Sequence, residues 1–277
     1  MKVPFSNGNS TEKLIFAQAI TKLLMATFEI STDAPSKFSE VFTVRSYHTD
    51  LHRRLTIHKL CSFFQDIAGN HTVACGVGWE VMQQQQVFWA LSRLKIEVIK
   101  YPEWRDQIKI TTWSMGSNGL FAYRNFLVED EKGNPLVKAL SMWLMVNTET
   151  RRLVRPDEFM RDFPLCSESL FETEPEKIAV LSAVEQFEAT KVSFTETDMN
   201  QHMNNVSYIE RIINSYDFGF LMSHQIELFN INFLKEALSG DSLKVGRSAV
   251  AETEFMNNLV RDDGTEMVRT QMKWTKV

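Results

Sequence analysis

The sequence predicts an α+β fold made twice in tandem, each unit a helix packed on an antiparallel sheet. Three observations lead there. The chain repeats itself: DEKGNPLVKALSMW (130–143) aligns with RDDGTEMVRTQMKW (261–274), DQIKI (106–110) with DSLKV (241–245), and VRSYHTDLHRRL (44–55) with VSFTETDMNQHM (192–203). The offset drifts from 148 to 135 to 131 residues while the order is preserved, which is the mark of a duplicated unit. Each copy carries one helical apolar stripe, and each carries runs that alternate apolar and polar residues.

Taken in order, residues 1–37 stand apart as an N-terminal extension. MKVPFSNGNSTEK is polar, and LIFAQAITKLLMATFEI is apolar but interrupted by Lys22. It lacks the charged start and cleavage site of a signal peptide and is short for a transmembrane span. A short helix, or a start near Met25, fits better. The N-terminal unit is placed at 38–155. It opens with the strand EVFTVRSY, and its helix shows Leu60, Phe63, Phe64 and Ile67 on one face. In the following strand LSRLKIEVI, Leu94, Ile96 and Val98 alternate with Arg93, Lys95 and Glu97, so the sheet is expected to be wet on one side. GSNG at 116–119 is a turn between strands and not a phosphate loop. Residues 156–187, with Pro156, Pro164 and Pro175, read as a linker. The C-terminal unit is placed at 188–277. It repeats the scheme with FEATKVSFTE, a helix presenting Val206, Ile209, Ile213 and Tyr216, and the alternating strand TEMVRTQMKW.

Composition narrows the function. The 277 residues are 44% hydrophobic and 23% charged, as in an ordinary globular protein, and the net charge of −5 argues against non-specific nucleic-acid binding. Cys61, Cys75 and Cys166 have no metal-binding spacing and suit a reducing compartment such as the cytoplasm. No dinucleotide, nucleotide-phosphate or metal motif appears, and no cofactor is called for.

The copies diverge at the turn before the helix. Copy one reads Asp50-x-His52-x-Arg54, and copy two reads Asp198-x-Asn200-x-His202 followed by Asn204 and Asn205. Capping accounts for one or two of these residues. In an extended segment Asp198, Asn200 and His202 would share a face, at a helix start that favours developing negative charge. A carboxylate, a carboxamide and an imidazole there suit hydrolysis of an acyl bond as well as capping and solvation.

TDMNQHMNNVSYIE resembles the DxNxHxNNxxYI segment of the plant-type acyl-acyl-carrier-protein thioesterases and their bacterial relatives. SYHTDLHRRLTIHKLCSFFQDIAGNH, the YPEW turn and SMWLMVNTETRRLVRP are similar in character, so the resemblance spans about 38–277. It implies a tandem (double) hotdog, a helix wrapped by an antiparallel sheet twice over, acting on the thioester of acyl carrier protein. FLKEALSGDS (233–242) resembles the family's stretch with a catalytic glutamate, which falls on Glu236; the cysteine that follows it in the family is Ala237 here. No cysteine lies within 167–277, so copy two offers no thiol nucleophile.

The resemblance therefore implies water attack assisted by Glu236 and His202, with Asp198 holding His202 or tuning Glu236 and Asn200 positioning substrate or water. Helix N–H groups at Asn204 and Asn205 would bind the oxyanion. Copy one would line the acyl tunnel, with Phe63, Phe64, Trp89 and Trp143 as examples. Arg151, Arg152 and Arg155 form a basic knot that is either a solvated turn or a dock for the acidic carrier protein. An acyl-coenzyme A thioesterase, a hotdog dehydratase and a non-enzymatic acyl-binding module are the competing readings. No nucleic acid and no stable membrane insertion are expected, and the chain would be a monomer or a homodimer.

Overall fold

The fold is that of a computed structural model, which describes residues 34–181, 185–187 and 189–277; the expectations for the first 33 residues lie outside these. In the N-terminal half, β1 (Lys37–Thr43) leads through a 3-10 turn (Ser46–His48) to helix α1 (Ile57–Ala74) and a short α2 (Trp79–Gln84). Four long strands follow: β2 (Val87–Val98), β3 (Gln107–Asn118), β4 (Phe121–Glu129) and β5 (Pro135–Asn147). After β6 (Leu153–Val154) and α3 (Asp157–Met160), the second half has β7 (Glu185–Gln186), β8 (Thr190–Lys191), a 3-10 turn (Phe194–Glu196), α4 (Asn205–Asn214) and α5 (Phe218–Ser223). It closes with β9 (His224–Phe233), β10 (Ser242–Ala251), β11 (Glu254–Arg261) and β12 (Glu266–Lys276).

The strands form one antiparallel sheet in the order β1-β3-β4-β5-β2-β9-β12-β11-β10-β7. Its centre is a seam between the halves, where β2 pairs with β9 and Lys95 faces Asn230. These two residues are counterparts at the 135-residue offset, so the halves meet across a local twofold axis. The duplication extends to single hydrogen bonds. Leu55 N–H donates to Pro102 O, and Met203 N–H to Ala237 O. Asp50 N–H donates to Arg54 O, and Asp198 N–H to His202 O. Left-handed residues match too: Arg53 (φ 64°) with Gln201 (φ 65°), and Arg105 (φ 80°) with Gly240 (φ 89°).

Each long helix packs against the strands of its half. Leu60, Phe63, Phe64 and Ile67 of α1 are buried, as their spacing predicts. On α4 the buried stripe is Val206, Ile209 and Ile212, with Tyr208 beside it; Ile213 is only half-buried, and Tyr216 lies beyond the last turn. Tyr216 is buried in the same core and Ile213 packs against it, so the expected face holds, with Ile212 added to it. Burying each such side chain contributes on the order of 1.5–3 kcal/mol.

The expectation of a sheet wet on one side holds for β2 and most of β12, where Leu94, Ile96 and Val98 and then Thr270, Met272 and Trp274 are buried between less buried neighbours; Val268 has an equally buried neighbour in Met267. It fails for β3 and β4, where consecutive residues on both faces are buried. The proline-bearing stretch after β6 explains this. It runs across the outer face as a strap. Trp113 Nε1 donates to Glu168 O at 2.7 Å, Cys166 N–H to Ser114 O at 2.9 Å, and Ile178 N–H to Asn232 Oδ1 at 2.8 Å. Sequence marks such a stretch as a connection because its proline-broken backbone has no period of its own.

Candidate active site

The turn before α4 is built by Asp198. Its Oδ1 accepts the Asn200 N–H at 2.8 Å, its carbonyl accepts the Gln201 N–H at 3.0 Å, and its own N–H donates to His202 O at 2.9 Å. Residues 198–202 therefore close a tight turn, with Gln201 at positive φ. This corrects the extended reading in which Asp198, Asn200 and His202 share a face by alternation. The cause is local: an aspartate side chain captures the backbone two residues on, a recurrent turn device. Asp50 does the same in copy one, taking His52 N–H at 2.9 Å. No contact of the Asp198 carboxylate with the imidazole accompanies this, so its visible work is to shape the turn.

Two bridges then bring the turn to the end of β9. Met203 N–H donates to Ala237 O, and His202 pairs with Leu238. Ala237 is fully buried, and its N–H donates to the Tyr208 hydroxyl at 2.8 Å. The backbone on either side of Glu236 is thus fixed by both the turn and α4. The result is a close approach of His202 Nε2 to Glu236 Oε2, 3.4 Å apart, with both side chains partly open to solvent. Burial pushes the Tyr208 hydroxyl up to about 12, helped by the nearby Glu236, Asp241 and Asp198 carboxylates. It stays a neutral phenol at working pH.

Arg151, from the turn between β5 and β6 of the other half, forms an ion pair with Glu236. Its guanidinium lies 5.2 Å from the Phe88 ring centroid. The basic knot therefore divides: Arg151 belongs to the site, while Arg152 and Arg155 are exposed and form no ion pair among the described residues. Asn204 caps α4, its Oδ1 accepting Val206 N–H at 2.9 Å and its carbonyl Ser207 N–H at 2.9 Å. Those two amides already have partners inside the helix start. Asn205 follows as the first helical residue.

Behind the turn lies a cavity of about 580 Å³ in the N-terminal half, within the range of small-molecule sites, roughly 300–1,000 Å³. Asn200 is part of its wall, and so is Phe88, under Arg151. Trp89 and Trp143 line it as expected. Phe63 and Phe64 do not; they stack on Phe42 and Phe126 in the core. The strap adds Phe159, Met160 and Phe163.

Copy one keeps the turn without the chemistry. Arg54, where copy two has His202, donates through Nε to Asp50 Oδ2 at 2.9 Å and through Nη1 to Gln225 Oε1 at 2.9 Å. Tyr101, where copy two has Glu236, donates to Ile226 O at 2.8 Å. The equivalent mouth is filled by an ion pair and a phenol that hold the other half. Two contributors to the site, one from each half, escape a reading of the sequence. Tyr208 has Leu60 as its counterpart, so its hydroxyl is a divergence between copies that could have drawn notice. Phe88 carries no such mark. The cysteines lie elsewhere: Cys61 and Cys75 are buried, with thiols pushed up by desolvation, to about 11 for Cys75.

An imidazole and a carboxylate thus meet beside Asn200, which lines the cavity, on a duplicated helix-and-sheet unit. The chain matches the acyl-ACP thioesterase N-terminal domain over residues 35–163 and the C-terminal domain over 181–276. It belongs to the acyl-ACP thioesterase family. A chloroplastic palmitoyl-acyl carrier protein thioesterase of Gossypium hirsutum is 29% identical over 264 residues, covering 86% of this chain and 63% of the relative. A chloroplastic oleoyl-acyl carrier protein thioesterase of Arabidopsis thaliana is 27% identical, covering 82% and 67%. The chain thus spans about two thirds of the length of these relatives. Among solved structures, an acyl-ACP thioesterase from Bacteroides thetaiotaomicron has a TM-score of 0.81 at 26% identity, covering 87% of this chain and 98% of that one. A 12:0-ACP thioesterase from Umbellularia californica has a TM-score of 0.78 at 23% identity, covering 87% and 98%, and shares the tandem hotdog fold.

Proposed function

We propose that the protein hydrolyses the thioester of acyl-acyl carrier protein and releases the free fatty acid. The observation that carries this reading is the 3.4 Å approach of His202 to Glu236 beside Asn200, which walls the apolar cavity. Glu236 takes a proton from water, and the resulting hydroxide adds to the thioester carbon. The Asn200 amide, with the Asn205 N–H at the start of α4, donates to the carbonyl oxygen as it gains charge. The carbon–sulfur bond then breaks, and His202 delivers a proton to the departing thiolate. Asp198 acts through the turn that places Asn200 and His202. Arg151 fixes the direction of the Glu236 carboxylate.

The acyl chain enters the cavity of the N-terminal half. The carrier protein docks outside the mouth, where Arg152 and Arg155 offer positive charge in a chain of net −5. Three free cysteines suit the reducing cytoplasm, and no helix among the described residues is long and apolar enough to cross a membrane. The test is hydrolysis of an acyl-carrier-protein series from short to long chains, run beside the matching coenzyme A thioesters. Carrier-dependent release supports the proposal. Equal rates on both carriers would leave a general acyl thioesterase. Neutralising Arg152 and Arg155 together should raise KM for the carrier substrate several-fold and leave the coenzyme A substrate unchanged.

A further inference from the structure

One wall of the cavity is at odds with a plain hydrocarbon guest. Arg124, on β4, lines it and is only 8% exposed. Its Nη1 donates to His71 Nδ1 at 3.0 Å and to Thr112 Oγ1 at 3.2 Å. His71 Nε2 lies 2.9 Å from Pro35 O, an acceptor only, so the imidazole carries its hydrogen there and Nδ1 accepts from the arginine. Neither partner is a carboxylate. Arg124 Nε and Nη2 have no partner among the described residues, yet neither is among the sealed unpartnered polar atoms, which are Asn258 Oδ1 and Trp274 Nε1. Their open side is therefore the cavity. Burial lowers Arg124 to about 10, which leaves it a cation at neutral pH. A guanidinium that shares its cavity lining with Trp89, Trp143 and Phe163 costs free energy while part of it lacks an acceptor, which a ligand can supply.

Resting on the thioesterase reading, we propose that Arg124 binds an oxygen on the acyl chain, so that the preferred substrate is a hydroxy- or oxo-acyl thioester and not a fully reduced chain. The neutral oxygen is favoured over a second carboxylate because Asp66 also lines the cavity. Hydrolysis itself is unaltered; Arg124 touches the chain and not the reacting carbon, and sets specificity.

The first experiment compares kcat/KM for chain-matched acyl-carrier substrates, saturated or bearing a hydroxyl or oxo group at successive positions. At least one oxygenated member should exceed its saturated match on the order of tenfold. Saturated chains preferred at every position overturn the inference, as does a preference confined to chains ending in a carboxylate. In Arg124→Met the ratio of oxygenated to saturated kcat/KM should fall towards one; an unchanged ratio in a folded variant overturns the assignment. If that variant does not fold, the wild-type panel decides. A binding arm separates this idea from the thioesterase reading. Trp79, Trp89 and Trp143 line the cavity, so free hydroxy fatty acid should quench fluorescence at lower concentration than its saturated match. Discrimination in binding with no thioester cleaved defeats the catalytic reading alone. Cleavage without discrimination defeats this inference alone.

Discussion

Glu236 and His202 meet because two backbone bridges hold a turn against a strand end, and each is partly open to solvent. Their loss should therefore remove chemistry and not structure. Glu236→Ala and His202→Ala are each expected to lower kcat by about 10²- to 10⁴-fold with an unchanged melting temperature; near-normal turnover by either would remove it from the mechanism. Asp198 makes a different prediction. Asn keeps an oxygen that can accept the Asn200 N–H, so Asp198→Asn should retain activity to within about tenfold, because the turn survives. A loss as deep as that of His202→Ala would instead assign the work to the negative charge. Asn200 and His202 were legible in the sequence because copy one makes the same turn without them, whereas Glu236 was reached only through the family resemblance. Arg151 was legible only as a surface charge, since nothing in a linear reading says that a turn of one half reaches a carboxylate of the other.

Helix α4 and the strand end after β9 act as one piece, joined through Tyr208. Removing its hydroxyl leaves the Ala237 N–H buried and unpaired, which costs about 1–3 kcal/mol. Tyr208→Phe should therefore lower the melting temperature and also kcat, since Glu236 is the preceding residue; a fall in stability with full kcat would show that Glu236 is held by other means. The 3-10 turn ahead of the site is tied to α4 by Glu196, paired with Arg211 at 2.6 Å. The Arg211 guanidinium and the Ser193 N–H and hydroxyl hold the Glu196 carboxyl down at about 2. A depressed acid stabilises the fold above its unfolded value near 4.5, and the benefit is lost as pH falls from there towards 2. Acid titration should show destabilisation in that window, and Glu196→Gln should flatten it. At this scale the sequence was readable where one period dominates, as in α1, β2 and β12. It was misleading at residues 198–202, where side-chain capture of the backbone overrode the alternation that an extended run requires.

Across the whole molecule, the strap and α1 enclose the cavity and share one titrating core group. His71 is buried between Pro35 O and the Arg124 guanidinium, and burial with that neighbouring cation lowers it to about 4. Below its unfolded value of 6.5, the unfolded chain takes up a proton that the folded one refuses. Stability from this group is complete above pH 6.5 and declines as pH falls towards 4, a window distinct from that of Glu196. Unfolding midpoints measured from pH 7 to pH 4 should fall in wild type, and less steeply in a folded His71→Gln variant; identical slopes would count against His71. The duplication, the fold class and the polar turn were all visible in the chain. The cavity was not, because its walls come from α1, α2, the strands and the strap, and no local period marks residues that converge from so far apart.

The β2–β9 seam carries a consequence for how this protein could come to be specialised. In a pair of identical, separate chains, every substitution at one mouth appears at the other. Here the two mouths are encoded separately while the twofold contact between them is kept. Arg54 and Tyr101 could turn one mouth into a strut that grips Gln225 and Ile226, without disarming its twin. Arg151 could cross to serve the twin without a mirror-image arginine being needed in return. Fusion thus makes symmetry a scaffold and no longer a constraint: each half is free to carry a side-chain set of its own.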